Sequence, residues 1–303
     1  KQKGIYTKFS AVFGAVPIGP EDRSRLAFAK SLKKDRNGWA RAPQGALWFS
    51  TALQDLLIEQ MVNLLEHRNP YTNQRYAEDP AILYVEVINE NSALFYTTMK
   101  ALQNIPEIRT QAGRAFYKWL KERYGSREHL LKAWGEDSIN SFKHEGLVGE
   151  GWANEIIYPV GNPWYFHPER LAGQMSDRRQ RLLDTMVFLY EMQVNFYQRF
   201  LQAIRDIGYK GEVVGSNWQA GNGYSHFLNL HADALMGTID RHNYFSGGGS
   251  MLQNPGGGIL STGMQQVKGL PFMLSEWIHV FPNPYGLEGP AIIGAYGMGL
   301  NDW

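Results

Sequence analysis

The feature that most restricts the fold is an alternation. Short runs with the Ile, Val, Tyr and Phe content of strands recur along the chain: GIYTKFSAVF at 4–13, ILYVEVINENS at 82–92, GEVVGSNW at 211–218, ALMGTIDRHNYF at 234–245, LPFMLSEW at 270–277 and AIIGAYGMGLNDW at 291–303. The runs are apolar on consecutive positions, as in parallel strands buried on both faces. Between them, Leu53, Leu56, Leu57, Met61, Leu64 and Leu65 predict a helix over 52–66, and residues 106–134 predict two helices broken at Tyr124-Gly125-Ser126. A stripe of Leu183, Met186, Val187, Tyr190, Val194, Tyr197, Leu201 and Ile204 predicts a long amphipathic helix closed by Gly208. The segment up to about Gly45 reads as a polar loop with a short helix. Residues 136–176, aromatic and spaced by Gly and Pro, read as a long ordered loop inserted for function. Strand alternating with helix predicts an α/β fold, a (β/α) barrel, as one domain over 1–303.

Composition sets the chemistry available to such a domain. With 303 residues, 44% of them hydrophobic, the chain can bury a substantial core. Lys and Arg number 30 against 29 Asp and Glu, so no basic footprint for nucleic acid or an anionic membrane is expected and the partner is expected to be neutral. No apolar run reaches the length of a membrane span, and no signal peptide opens the chain. The first residues read as the end of a helix running into a strand, so the sequence is expected to begin inside a domain, with any leader upstream and the compartment left open. The absence of Cys excludes disulfides, thiolate nucleophiles and Cys-ligated metals. The eight His form no HExxH or paired ligand spacing, and neither a metal nor a cofactor is expected. SGGGS and NPGGG, within 246–258, lack a following GK[ST] and read as a flexible loop rather than a phosphate cradle.

In barrels of this architecture the chemistry sits where strands end, on the C-terminal face. The strand ends here are Asn89-Glu90, Asn217-Trp218, His242-Asn243-Tyr244, Ser275-Glu276-Trp277 and Asn301-Asp302-Trp303, each polar or aromatic after an apolar run. Two carboxylates on separate strands of one mouth are the minimum kit for glycoside hydrolysis: one protonates the leaving oxygen, the other attacks the anomeric carbon or activates water. Aromatic rings, 13% of the chain, suit stacking on sugar faces, although a single Trp is more often core. Lys8 could serve as a Schiff-base lysine, but a strand-edge Lys is more often solvated. His279 either reaches the substrate or caps a loop.

The strand VEVINENS ending in Asn-Glu and the later strand LSEW resemble the acid/base and nucleophile strands of the clan-A retaining glycoside hydrolases, families 5 and 42 among them. NPYTNQRYAEDPAILYVEVINENS, FYKWLKERYGSREHLLKAWG, TIDRHNYF, LPFMLSEW and GAYGMGLNDW are similar to segments of those enzymes in the same order, over nearly the whole chain. The resemblance implies a TIM (β/α)8 barrel of which this chain supplies strands 3 to 8. Two earlier strands, a cationic residue bracing the nucleophile and a final helix are then expected outside it. It implies a retaining mechanism, with Glu90 as acid/base, Glu276 as nucleophile, and an oligo- or polysaccharide as substrate. Asn89, His242, Tyr244 and Trp303 would bind substrate, with Tyr244 hydrogen-bonded to Glu276 and Trp303 as the platform under the sugar; Asn217 and Trp218 are expected to join them from their place at a strand end. Loops at this face build the substrate cleft, so at least one of Trp152, Tyr158, Trp164 and Tyr165 on the long loop is expected to border the site. Two other function classes stand beside this one: a barrel that binds glycan without cleaving it, and a TIM-barrel lyase or aldolase.

Overall fold

The computed structural model describes residues 3–221, 223–245, 249–253, 262–279 and 283–301. Five parallel strands run through it in chain order. β1 (Thr7–Ser10), β4 (Ile82–Glu86) and β5 (Glu212–Val214) form one sheet in the order β1-β4-β5, and β6 (Ile239–Phe245) pairs with β7 (Phe272–His279). A parallel bridge from Val214 to Thr238 carries the run from β5 towards β6. The described residues form an open run of strands, with no closed barrel. Five of the six expected strands are present in the expected order. The sixth is not: Gly289–Met298 is a π-helical segment, and the short turn Gly299–Asn301 continues it. An apolar run studded with Gly carries no period that separates strand from helix, and here the helical choice buries Ile293.

The remaining strands, β2 (Val16–Ile18) and β3 (Ala40–Ala42), make a small antiparallel hairpin in the segment expected to be loop. At three residues each they are too short to show a pattern. The helices fall close to expectation: α1 (Thr51–Glu66), α3 (Pro106–Tyr124), α4 (Arg127–Trp134) and α6 (Arg179–Asp206), with α2 (Tyr96–Asn104), α5 (Pro168–Ala172) and α7 (Tyr224–Ala234) added. Ser50 caps α1 by accepting from the Leu53 amide at 3.3 Å. Gly125, at φ 74°, breaks α3 from α4 at the predicted place.

The buried face of α6 is rotated from the predicted stripe. Leu182, Met186, Leu189, Phe196, Phe200 and Ile204 are buried, whereas Leu183, Tyr190, Val194 and Leu201 sit at its edge. The shift follows from a polar contribution to the packed face: Arg181, Asp184 and Gln193 are buried as well. Arg181 pairs with Glu150 at 2.5 Å, both side chains fully buried, and Glu150 also accepts from the amides of Asn140 (2.6 Å) and Tyr158 (2.8 Å). The long segment 136–176 is thus ordered by a buried ionic node that fastens it to α6.

β4 shows how the sheet divides its two faces. Val85, with Val87 just beyond the strand, belongs to the apolar core that the helices cover. Glu86, on the alternate position, turns inward to meet Lys8, Ser10 and Asn217. A strand of this parity delivers polar side chains to the inner face while its outer face holds the helices.

Candidate active site

The chain leaves β4 through Val87 and Ile88 and reaches Glu90 in a left-handed conformation, φ 45°, which few non-glycine residues adopt. Neighbouring strands hold that conformation in place. The Asn89 amide donates to the Val12 carbonyl at 2.7 Å, and the Glu90 amide to Asn217 Oδ1 at 2.8 Å. Gln44, just after the hairpin, donates to the Asn89 carbonyl at 3.0 Å and accepts from Asn91 at 2.6 Å.

Glu90 and Glu276 face each other across His242. His242 Nδ1 lies 2.7 Å from Glu90 Oε1, and Nε2 lies 3.0 Å from Ser275 Oγ and 3.6 Å from Glu276 Oε1. One carboxylate oxygen of each Glu and a ring nitrogen of His242 lie within 4.8 Å of one another. The His242 side chain is 2% exposed, against 36% for Glu90 and 26% for Glu276, so the imidazole is sealed in while both acids reach solvent. Tyr244 donates to Glu276 Oε2 at 2.6 Å. That bond, followed by partial burial, pushes the Tyr244 phenol up to about 12, so it remains a proton donor across the working pH range.

Of the other predicted residues, Asn217 is placed differently from expectation. It is fully buried, accepts from the Glu90 amide, and donates to Glu86 and, at 3.2 Å, to Asn89 Oδ1. With both ends of its amide engaged by protein it braces the strand end rather than binding substrate. Asn89 is 5% exposed and donates weakly to the Phe13 carbonyl at 3.4 Å. Trp218 is half-buried, edge-on to Phe95 with centroids 5.1 Å apart. Trp303 and the Gly-rich stretch 254–258 lie outside the described residues, as does the side chain of His279.

Lys8, expected to be solvated, has an acid partner after all: its Nζ pairs with Glu86 Oε1 at 3.2 Å. Beneath the mouth, Glu86 and Asp240 join His242 in a second group whose three ligand-type atoms lie within 4.8 Å of one another. Each acid has protein donors: Lys8, Ser10 and Asn217 on Glu86, and the Ser275 amide and hydroxyl on Asp240. A cation at this inner cluster would have to displace them. Burial pushes Asp240 up to about 6, against the opposing pull of its bonds to Ser275. Nothing in the sequence singles out Glu86 or Asp240, whose only trace is a charged residue inside an otherwise apolar strand, and Ser275 shows there only as the neighbour of Glu276.

Of the four aromatics on the long segment, Trp152 packs on Tyr117, Tyr158 is buried against Gly113, and Tyr165 is buried with its hydroxyl on Glu145. Trp164 is exposed, with the Arg170 guanidinium 4.1 Å above its ring. It shares a cavity of about 230 Å³ with Tyr96, His167 and Gly221.

No protein-family model and no curated protein matches the chain. The solved structures it matches include an exo-beta-agarase, 16% identical over 79% of this chain with a TM-score of 0.46. They also include a polyextremophilic beta-galactosidase from the Antarctic haloarchaeon Halorubrum lacusprofundi, 18% identical over 85% of this chain with a TM-score of 0.46. The chain spans 28% of the length of the first and 32% of the second.

Proposed function

We propose that this chain carries the catalytic machinery of a retaining glycoside hydrolase that cleaves β-glycosidic bonds of an oligo- or polysaccharide. In this reading the five parallel strands are a consecutive stretch of a (β/α)8 barrel and their C-terminal ends form its mouth. Glu90 is the acid/base and Glu276 the nucleophile. The observation that carries the reading is the approach of the two carboxylates, with oxygens within 4.8 Å of each other. Retaining enzymes hold their carboxyl groups about 5–5.5 Å apart, whereas inverting enzymes need roughly 6.5–9.5 Å to admit a water between them.

Glu90 protonates the glycosidic oxygen as its bond to the anomeric carbon breaks, and a Glu276 oxygen forms the new bond to that carbon. Water then attacks the same carbon, giving its proton to Glu90 and releasing Glu276. Tyr244 fixes the oxygen of Glu276 that does not attack. The lyase or aldolase alternative loses support because Lys8 is engaged by Glu86. Product NMR during hydrolysis of a chromogenic glycoside tests the mechanism: the first-formed sugar should keep the substrate's anomeric configuration, and inversion would overturn it. Glu276→Gln should abolish turnover. Glu90→Ala should keep the first step on substrates with good leaving groups and be rescued by azide.

A further inference from the structure

Behind the two acids lies a chain of hydrogen bonds that the reaction as written does not use. The Ser275 amide donates to Asp240 Oδ1 at 2.9 Å, and the Ser275 hydroxyl donates to Asp240 Oδ2 at 2.6 Å. The same hydroxyl oxygen lies 3.0 Å from His242 Nε2, and Nδ1 of that ring lies 2.7 Å from Glu90 Oε1. Four groups from three strands are therefore in series: Asp240 and His242 of β6, Ser275 of β7, and Glu90 just past β4.

A hydroxyl has one proton to give. With the Ser275 proton committed to Asp240, the oxygen offers only lone pairs to the imidazole, so the hydrogen of a neutral ring must sit on Nε2. Nδ1 then presents a lone pair to Glu90, and the contact between them is satisfied when Glu90 carries a proton and donates it. In the opposite tautomer, Nδ1–H would donate to Glu90 and favour its carboxylate, the wrong form for an acid about to protonate a leaving group.

We propose that Asp240, acting through Ser275, fixes the tautomer of His242 and thereby keeps the catalytic proton on Glu90. Asp240 and Ser275 are positioning residues, and their role rests on the glycosidase reading of Glu90. The proton count is conserved. Glu90 loses its proton to the leaving group and regains one from water, while the hydrogens on Ser275 and on Nε2 stay where they are.

Other charged groups face the relay. Glu276 Oε1, 3.6 Å from Nε2, favours the same tautomer, so it competes with Ser275 for credit. From β4, Glu86 lies against Asp240 and His242 with its charge met by Lys8 of β1. Tyr84 on the same strand sits near Asp240 and shares a hydrogen bond with Ser275; burial holds its phenol well above the usual range, so it is neutral. Arg241 pairs with Asp233 of α7 at 2.9 Å, and Tyr244 is tied to Glu276. Asp240 itself, pushed up to about 6 by burial, is charged at neutral pH and accepts; as pH falls through that value it gains a proton and can donate to Ser275, reversing the relay.

Asp240→Asn imposes the reversal at every pH. The new amide keeps an oxygen for the Ser275 N–H and places an N–H against the hydroxyl, which turns its own proton to Nε2. The experiment is a long-range proton–nitrogen NMR spectrum of histidine-labelled protein at neutral pH, with His242 assigned by loss of its signals in His242→Asn. The native protein should show Nε2–H and a bare Nδ1. Asp240→Asn should show Nδ1–H, and Ser275→Ala, which removes the hydroxyl with little change of volume, a mixture. On a glycoside substrate, both variants should lower kcat about ten- to a hundredfold with KM changed less than about twofold, in the range of lost acid–base catalysis. The basic limb of kcat/KM should move to lower pH, because Glu90 releases its proton earlier. Nδ1–H in the native protein would overturn the proposal. So would Nε2–H persisting in both variants, which would assign the tautomer to Glu276 alone. The spectrum needs no turnover, so a chain that hydrolyses no glycoside but shows the tautomer switch would sink the glycosidase reading and leave the relay standing.

Discussion

Glu90 and Glu276 are the same side chain in different company. Glu90 meets the imidazole of His242, and Glu276 meets the phenol of Tyr244. A hydrogen bond to a charged group is worth about 1.5–3 kcal/mol. Tyr244 is half exposed, which places the loss at the low end, so Tyr244→Phe should lower kcat on the order of tenfold. No pH limb should be lost, because a phenol pushed up to about 12 does not titrate in the working range. An unchanged kcat would remove Tyr244 from the machinery. The acids and their two partners were legible in the sequence because each stands in a polar or aromatic cluster that closes an apolar run, although β6 and β7 continue past them. Glu86 and Asp240 were not, because a single polar residue inside a strand has no meaning until its partner is known, and Ser275 showed only as the neighbour of Glu276. Asp240 finds Ser275 35 positions later, and Glu86 finds Asn217 131 positions later.

Among the elements, the segment 136–176 depends on the pairing of Arg181 with Glu150. Removing one partner of a buried ion pair strands the other charge, at about 3–5 kcal/mol, whereas replacing both with apolar residues is far milder. Arg181→Met should therefore lower the urea midpoint sharply, and Arg181→Met with Glu150→Leu should recover much of the loss. Equal destabilisation by the single and double variants would show that the node does not hold the segment. The helices α1, α3 and α6 could be read from periodicity, since a dozen or more residues average out exceptions, and the shorter α4 from the break at Gly125. Three-residue strands such as β2 and β3 could not, nor could the apolar run 291–301, which carries no period that separates strand from helix.

For the whole molecule, the order of the parallel strands follows the order of the chain, which was the part of the fold most legible in the sequence. β1 and β7 close on no further strand among the described residues. The interior is rich in phenols. Tyr197 is fully buried and held far above its usual range by burial, Tyr84 also titrates high, and Tyr209 is pushed up to about 12. Each keeps its proton in the folded state after the unfolded chain has lost it. The stability they contribute is therefore complete below about pH 10 and falls as pH rises through their folded values. Alkaline unfolding should be cooperative, with the tyrosinate absorbance of these buried rings appearing together with loss of helical circular dichroism. Ionisation of all sixteen Tyr while the helices persist would contradict that burial. The left-handed backbone at Glu90 carries a different consequence. Position 90 is one where local preference would choose Gly or Asn, and a Glu there works against the folding of its own loop. Glu90→Gly should therefore release strain while removing the carboxylate, so at this one position loop stability and the side chain pull in opposite directions.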